Sequence, residues 1–160
     1  VTMDGPFSQF PAIDRHLAIL SGEGLDLSIE EATAVQLTPI SAAYAFAGDR
    51  PTYARLINGP ITDLNVMVRR GLWQTEIKVL EIDHSLNIAV PVGSMLIWVQ
   101  RGAVSCHADN TTEQLAEGDA VLFSAQDRDI ELRAYHQCRI WQINLYPCYQ
   151  MNSERVSPKA

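Results

Sequence analysis

Gly5-Pro6-Phe7-Ser8-Gln9-Phe10-Pro11-Ala12-Ile13-Asp14-Arg15 leads into the apolar run Leu17-Ala18-Ile19-Leu20, which stops at Ser21-Gly22-Glu23-Gly24. The prolines hold the first part extended, because proline fixes its own φ and restricts the residue before it. The apolar run has the length and the flanking turn residues of a strand. Side chains alternate between faces along a strand, so Arg15 shares a face with Leu17 and Ile19. A guanidinium on an inward apolar face needs an anionic partner or water. The stretch therefore reads as one rim of a ligand pocket, with Arg15 at the mouth of the strand. The rival is a plain loop whose Phe7 and Phe10 cap a core.

Beyond this stretch the chain is a succession of short apolar or β-branched runs separated by turns. The expected strands are 17–20, 25–28, 43–46, 53–56, 63–68, 75–82, 94–100, 104–107, 120–124, 129–134 and 139–145. Turn chemistry between them includes Ala47-Gly48-Asp49, Asn58-Gly59-Pro60, Asp109-Asn110 and Glu117-Gly118-Asp119. Helix signals are weak. The single window, Ser28 to Val35, is short and lies between strands, and its Glu30-Glu31 reads as a solvated turn rather than an acid/base pair. Residues from Gln150 to Ala160 form a polar tail. This is the pattern of an all-β sandwich or barrel.

The chain also repeats itself. Leu17-Ala18-Ile19-Leu20-Ser21-Gly22 aligns with Ile97-Trp98-Val99-Gln100-Arg101-Gly102 at an offset of 80. Phe46-Ala47-Gly48-Asp49 aligns with Ser124-Ala125-Gln126-Asp127 at 78, and Asp63-Leu64-Asn65-Val66-Met67 with Gln142-Ile143-Asn144-Leu145-Tyr146 at 79. Three markers in one order at a nearly constant offset point to a duplicated β unit. Gly22 should then superpose on Gly102, and Asn65 on Asn144.

The totals narrow the function. A chain of 160 residues with 47% hydrophobic content can build a core and is not disordered. Its net charge of −7, with 12 scattered Lys and Arg, argues against nucleic acid. No apolar run approaches the roughly 20 residues of a membrane helix, and nothing at the start of these residues reads as a signal peptide. Cys106, Cys138 and Cys148 have neither C-x-x-C spacing nor an even count, so reduced, mostly buried thiols in a cytoplasmic protein are expected.

Gly22, Gly102 and Leu115-Ala116-Glu117-Gly118-Asp119-Ala120-Val121-Leu122-Phe123 resemble cupin signatures, in which a strand ends at Gly and a later Gly-Asp opens the next. A more specific resemblance is to the HutD/Ves family of bicupins. It rests on Gly5-Pro6-Phe7-Ser8-x-Phe10-Pro11-x-Ile13-Asp14-Arg15, Leu20-x-Gly22-x-Gly24-Leu25, Phe46-x-Gly48-Asp49 and Gly59-Pro60-x-x-Asp63-Leu64-Asn65-Val66-Met67-x-Arg69. The second half matches more loosely. The family pattern opens with a further segment bearing a Trp-Lys/Arg-Asn motif that has no counterpart here, and its loss would remove strands and part of the pocket wall. The resemblance implies a two-barrel cupin fold. For HutD members it implies a role in limiting histidine utilisation by sensing a small acid, and for Ves-like members a stress or cold response.

Cupins are often metalloenzymes, with two His one residue apart, a carboxylate a few residues on and a third His in the following motif. Here His16, His84, His107 and His136 stand apart, and no pair has ligand spacing. An Arg where a ligand would sit repels a cation, so no metal is expected. There is no G-x-S-x-G, no Cys beside a base and no phosphate-cradling loop, since Gly22-Glu23-Gly24 is of hairpin length. What remains is binding. Arg15 offers a bidentate fork for a carboxylate. Asn65 lies mid-strand among apolar neighbours, where something must hold its amide: a ligand, or a cross-strand bond between the halves with Asn144. Phe10 on the rim, Asp63 on the strand of Asn65 and Arg69 at its end complete the expected ligand set. Trp73, Trp98 and Trp141 are expected to pack between the halves.

The reading is thus an all-β cupin of the jelly-roll type, two fused small β-barrel units from an internal duplication. Residues 1–70 form the first unit, 71–93 a connecting strand and turn, 94–148 the second unit and 149–160 a polar tail. With no cofactor, it binds a small carboxylate such as formate, urocanate or a related acid, as a sensor or regulator. The rivals are a metal-free cupin isomerase or hydrolase using Asp14 or a His, and a homo-oligomeric scaffold, such as a homodimer, pairing through open sheet edges.

Overall fold

The computed structural model describes residues 1–30, 32–108, 111–124 and 129–148. Glu31, the Asp109-Asn110 turn, the marker Ala125-Gln126-Asp127 and the tail from residue 149 lie outside the described residues. Among the described residues there is no helix, and so none that could cross a membrane. The window from Ser28 to Val35 instead holds the end of one strand and the start of another.

The first unit contains β1 (Gly5–Pro6), β2 (Ile13–Ser21), β3 (Leu25–Ile29), β4 (Val35–Leu37), β5 (Tyr44–Ala47), β6 (Thr52–Leu56) and β7 (Thr62–Arg69). They form two sheets, β1-β6-β3-β4 and β5-β2-β7. Leu17 and Ile19 of β2 meet Leu25, Leu27, Leu37 and Ala54 in one apolar core. Strand alternation produces this, because every second residue of β2 and β3 turns inward.

The second unit contains β8 (Trp73–Ile82), β9 (Ser85–Ile88), β10 (Ser94–Arg101), β11 (Ala103–Ala108), β12 (Thr111–Ala116), β13 (Ala120–Ser124), β14 (Ile130–Ala134) and β15 (Cys138–Pro147). Its sheets are β13-β10-β15-β8 and β12-β11-β14-β9, around a separate core that includes Met95, Ile97, Val99, Leu132 and Ile140. The segment 71–93, expected from the sequence to be a connecting strand and turn, supplies β8 and β9. They pair with β15 and β14 respectively.

The duplication is visible in the strand register. Arg15, Leu17 and Ile19 of β2 face Met67, Asn65 and Asp63 of β7. Met95, Ile97 and Val99 of β10 face Asn144, Gln142 and Ile140 of β15. Each outgoing strand then shifts register, between Ile19 and Ser21 and between Val99 and Arg101. Each ends at a left-handed glycine, Gly22 at φ 90° and Gly102 at φ 87°. The step of 80 therefore holds for the outgoing strands. The returning strands, however, step by 77, so Asn65 corresponds to Gln142 and not to Asn144. Likewise Phe46, opposite Arg15, corresponds to Phe123, opposite Met95, and not to Ser124. Aligning like side chains misplaced these pairs, because backbone register and not side-chain identity fixes which residues face each other.

The two units meet where β7 runs on to β8 and where Gln100 of β10 reaches the end of β2. Ala18 is buried although it points away from its own core, as are Trp141 and Ile143 in the second unit. Trp141 donates its indole N–H to Gln100 Oε1 (2.7 Å), and Gln100 Nε2 donates to the Leu20 carbonyl (3.2 Å). Trp73 is more open, at 38% exposure.

Cys106 and Cys138 are buried in the second core, Cys148 is half-buried, and all three are free thiols. Burial, with the Glu113 charge adding to it, pushes Cys106 up to about 11, and burial followed by Glu81 raises Cys138. Thiolates are the reactive form, so both should be inert in the folded state. Iodoacetamide at neutral pH is expected to label native protein at Cys148 alone, and the other two only in denaturant. Rapid native labelling of Cys106, seen by peptide mass spectrometry, would contradict the packing.

Candidate functional site

The proline-rich stretch lies against β6, with Gly5 opposite Ala54 and Pro6 opposite Tyr53. The Phe7 N–H donates to the Thr52 carbonyl (2.8 Å) and the Phe10 N–H to the Gly48 carbonyl (2.7 Å). Ala12 turns the chain at φ 58°, and β2 begins at the next residue. The rim is thus pinned by backbone bonds, and the side chains of Phe7 and Phe10 hang over the open end of the first barrel.

Arg15 enters that end from below. It is 4% exposed, on the face of Leu17 and Ile19 as its parity predicts. Its guanidinium carbon lies 4.9 Å from the Phe7 ring centre, 5.1 Å from that of Phe46 and 5.6 Å from that of Phe10. Aromatic faces at such distances attract a cation, more so when water is excluded. Nη1 donates to the Ser8 carbonyl (3.2 Å), and Nε to Asn65 Oδ1 (3.4 Å, at the long limit). A cleft of about 580 Å³, lined by Pro6, Phe7, Phe10, Arg15 and Met67 among others, opens here.

Among the described residues no carboxylate forms an ion pair with Arg15. Asp14 Oδ1 is 2.7 Å from Arg70 Nε, and Asp63 Oδ1 is 3.9 Å from the Val1 nitrogen. Burial holds the Arg15 guanidinium below its ordinary value, and the charge of Asp63 opposes that shift without contact.

The structure thus brings Arg15, Asn65 and Phe10 together, with Asp63 further along the inner face of β7. Arg69 is not among them. It is exposed, lies opposite Ile13 at the end of β7, and lines a shallow hollow with Pro11, Ala12 and Leu72. The amide of Asn65 is held by Arg15, so the expected bond between the halves is replaced by two separate ones. Asn144 donates to Glu76 Oε2 (3.1 Å) and accepts from Gln142 Nε2 (3.1 Å) inside the second barrel.

Two contributors have no place in the expected set, and of the adjacent pair Arg69-Arg70 the expected member is the wrong one for this corner. Phe46 and the Ser8 carbonyl face Arg15 directly, and Arg70, not Arg69, makes the strong contacts of this corner. Phe46 stands in the quoted Phe46-x-Gly48-Asp49 motif, which was the available signal. For Arg70, two adjacent arginines at a strand end carry opposite parities, and only the backbone path decides which one turns back.

Cupin metal chemistry does not fit these residues. The inner positions of the first barrel offer a guanidinium, an amide, a thioether, aromatic rings and the lone carboxylate of Asp63, and those of the second offer Met95, Gln142, Asn144 and Phe123. Among the described residues no three His, Cys, Asp or Glu side chains converge as a metal site would need.

Residues 1–141 match the family model of HutD. The chain belongs to the HutD family. A conserved protein of unknown function from Pseudomonas aeruginosa PAO1 superposes with a TM-score of 0.83 at 23% identity, covering 92% of this chain and 79% of that one. HutD from Pseudomonas fluorescens SBW25, solved in a formate condition, gives 0.72 at 21% identity, covering 91% of this chain and 76% of that one. A cupin 2 conserved barrel domain protein from Leptotrichia buccalis gives 0.54 at 10% identity, covering 91% and 79%. At these identities the likeness is one of fold, and the fold is that of cupins. This chain places its aromatic-lined arginine in the first of its two cupin-like units.

Proposed function

We propose that this HutD-family chain binds a small carboxylate at Arg15 and acts as a sensor or buffer of that acid, with no metal in the site. The observation that carries this reading is a buried guanidinium, open to a cleft, with no anionic partner among the described residues. A buried cation left unpaired is costly, and an arginine fork is shaped for a carboxylate. Phe7, Phe10 and Phe46 exclude water from the charge and so strengthen whatever anion it holds. The catalytic alternative is weakened by Asp14, whose carboxylate is engaged by Arg70. The family's association with histidine utilisation makes formate, urocanate and histidine the first compounds to test.

A thermal-shift screen of these acids is the direct test. A ligand at 100 times its dissociation constant adds about 2.7 kcal/mol, which for a chain of this size raises Tm by about 5–11 °C. One acid should do so while matched chloride does not. If none of a broad panel of small carboxylates shifts Tm, the reading fails.

A further inference from the structure

On the opposite face of β2 from Arg15, Arg70 makes a set of bonds that stability does not explain. Its Nε donates to Asp14 Oδ1 (2.7 Å), Nη1 to Asp49 Oδ2 (2.8 Å), and Nη2 to Asp49 Oδ1 (3.0 Å) and the Ile13 carbonyl (3.2 Å). This is a bidentate fork on Asp49 with a second carboxylate on the remaining edge. The hydrogen bonds of Arg70 hold Asp49 below the usual carboxylate range and raise Arg70 itself. Yet the side chains of Arg70 and Asp49 are 40% and 38% exposed, and ion pairs in that setting contribute little to folding.

What the bonds fix is the turn between β5 and β6. The Gly48 N–H donates to the Ile13 carbonyl (2.7 Å), and the Gly48 carbonyl accepts from Phe10 (2.7 Å). The turn also touches Arg15. A Cβ at Gly48 would lie 3.1 Å from both Cγ and Cδ of Arg15 and 3.0 Å from the Ile13 carbonyl. The backbone of Gly48 is therefore a wall against the arginine's stem, and it carries Phe10 on its other side. Asp49 is the next residue, and Arg70 ties it to the start of β2.

We propose that Arg70, through Asp49 and Asp14, is a positioning residue of the ligand site, locking the Gly48 turn so that Arg15 and Phe10 are held in their binding geometry. The inference rests on the carboxylate reading for its effect on affinity, but not for its effect on Arg15 itself. A site misplaced by a fraction of an ångström loses affinity without losing the fold, because the supporting contacts set the geometry of the group that binds.

Two readouts separate this inference from the reading it rests on. The first needs no ligand. The Nε–H resonance of Arg15 in a ¹⁵N-edited spectrum should be shifted by its three phenyl neighbours. In Asp49→Asn and in Arg70→Ala it should move toward the position of an unstructured arginine, with Tm close to that of the parent. The second is formate affinity, expected to fall about tenfold in each variant and no further in the double variant, since the two residues act as one unit. If formate does not bind the parent protein, the resonance alone decides. An Arg15 resonance unmoved in both variants overturns the inference, whatever the affinity does. A moved resonance with Tm lowered as far as in Leu17→Ala also overturns it, because the residues would then be plain supports of the fold.

Discussion

Arg15→Lys binds the acid that raises Tm ten- to a hundredfold more weakly than the parent protein, and folds normally. Lysine keeps the charge and the attraction of Phe7, Phe10 and Phe46, whose ring centres lie 4.9–5.6 Å from the guanidinium carbon. It loses the planar fork and the donors now given to Ser8 and Asn65. One charge-assisted hydrogen bond lost corresponds to roughly 1.5–3 kcal/mol, which is the stated range of affinity. Calorimetric titration of both proteins gives the answer. Equal affinities remove Arg15 from the site. If Arg15→Lys and Arg15→Ala both lower stability and leave affinity alone, the arginine is a structural cation held by aromatic rings.

Gly22→Ala lowers stability by about 3 kcal/mol, more than Gly102→Ala does. Both glycines sit in the left-handed region, where a Cβ costs about 1–2 kcal/mol. At Gly22 the added carbon would also lie 2.6 Å from the Pro60 carbonyl oxygen and 2.9 Å from Ile61 Cγ2, so the backbone must move. At Gly102 the nearest atom, the Gln137 carbonyl oxygen, is 3.0 Å away, and less has to give. Urea unfolding of both variants measures the difference. A Gly102→Ala protein as unstable as Gly22→Ala would show that the close approach of Pro60 and Ile61 adds nothing to the cost at Gly22.

The parts of this fold that were legible in the sequence are those where period-two alternation is strong. β2, β3 and β10 announce themselves, because each buries an apolar face and is bounded by turn residues. β12 (Thr111–Ala116) does not, since it is an edge strand with one buried residue, Leu115. β4 and β9 are too short to show a period. The inward placement of Arg15 followed from parity alone. Its ring of aromatics did not, because Phe46 is adjacent only through cross-strand register. Which of Arg69 and Arg70 serves this corner is hidden for a related reason: strand parity says which face a residue takes, but not where a strand stops and its parity lapses. β7 ends at Arg69, so Arg70 is free to fold back across β2.

The two apolar cores are separate, and the first holds the aromatic-lined arginine while the second holds two of the three thiols. Between them stands Gln100, bonded to Trp141 on one side and to the Leu20 carbonyl on the other. The melting of this molecule is therefore a question of cooperativity between neighbours. Binding energy delivered at Arg15 enters the first barrel directly and reaches the second across the contacts between the units, so occupancy of the site and the integrity of the second barrel are linked in part by the strength of that glutamine bridge.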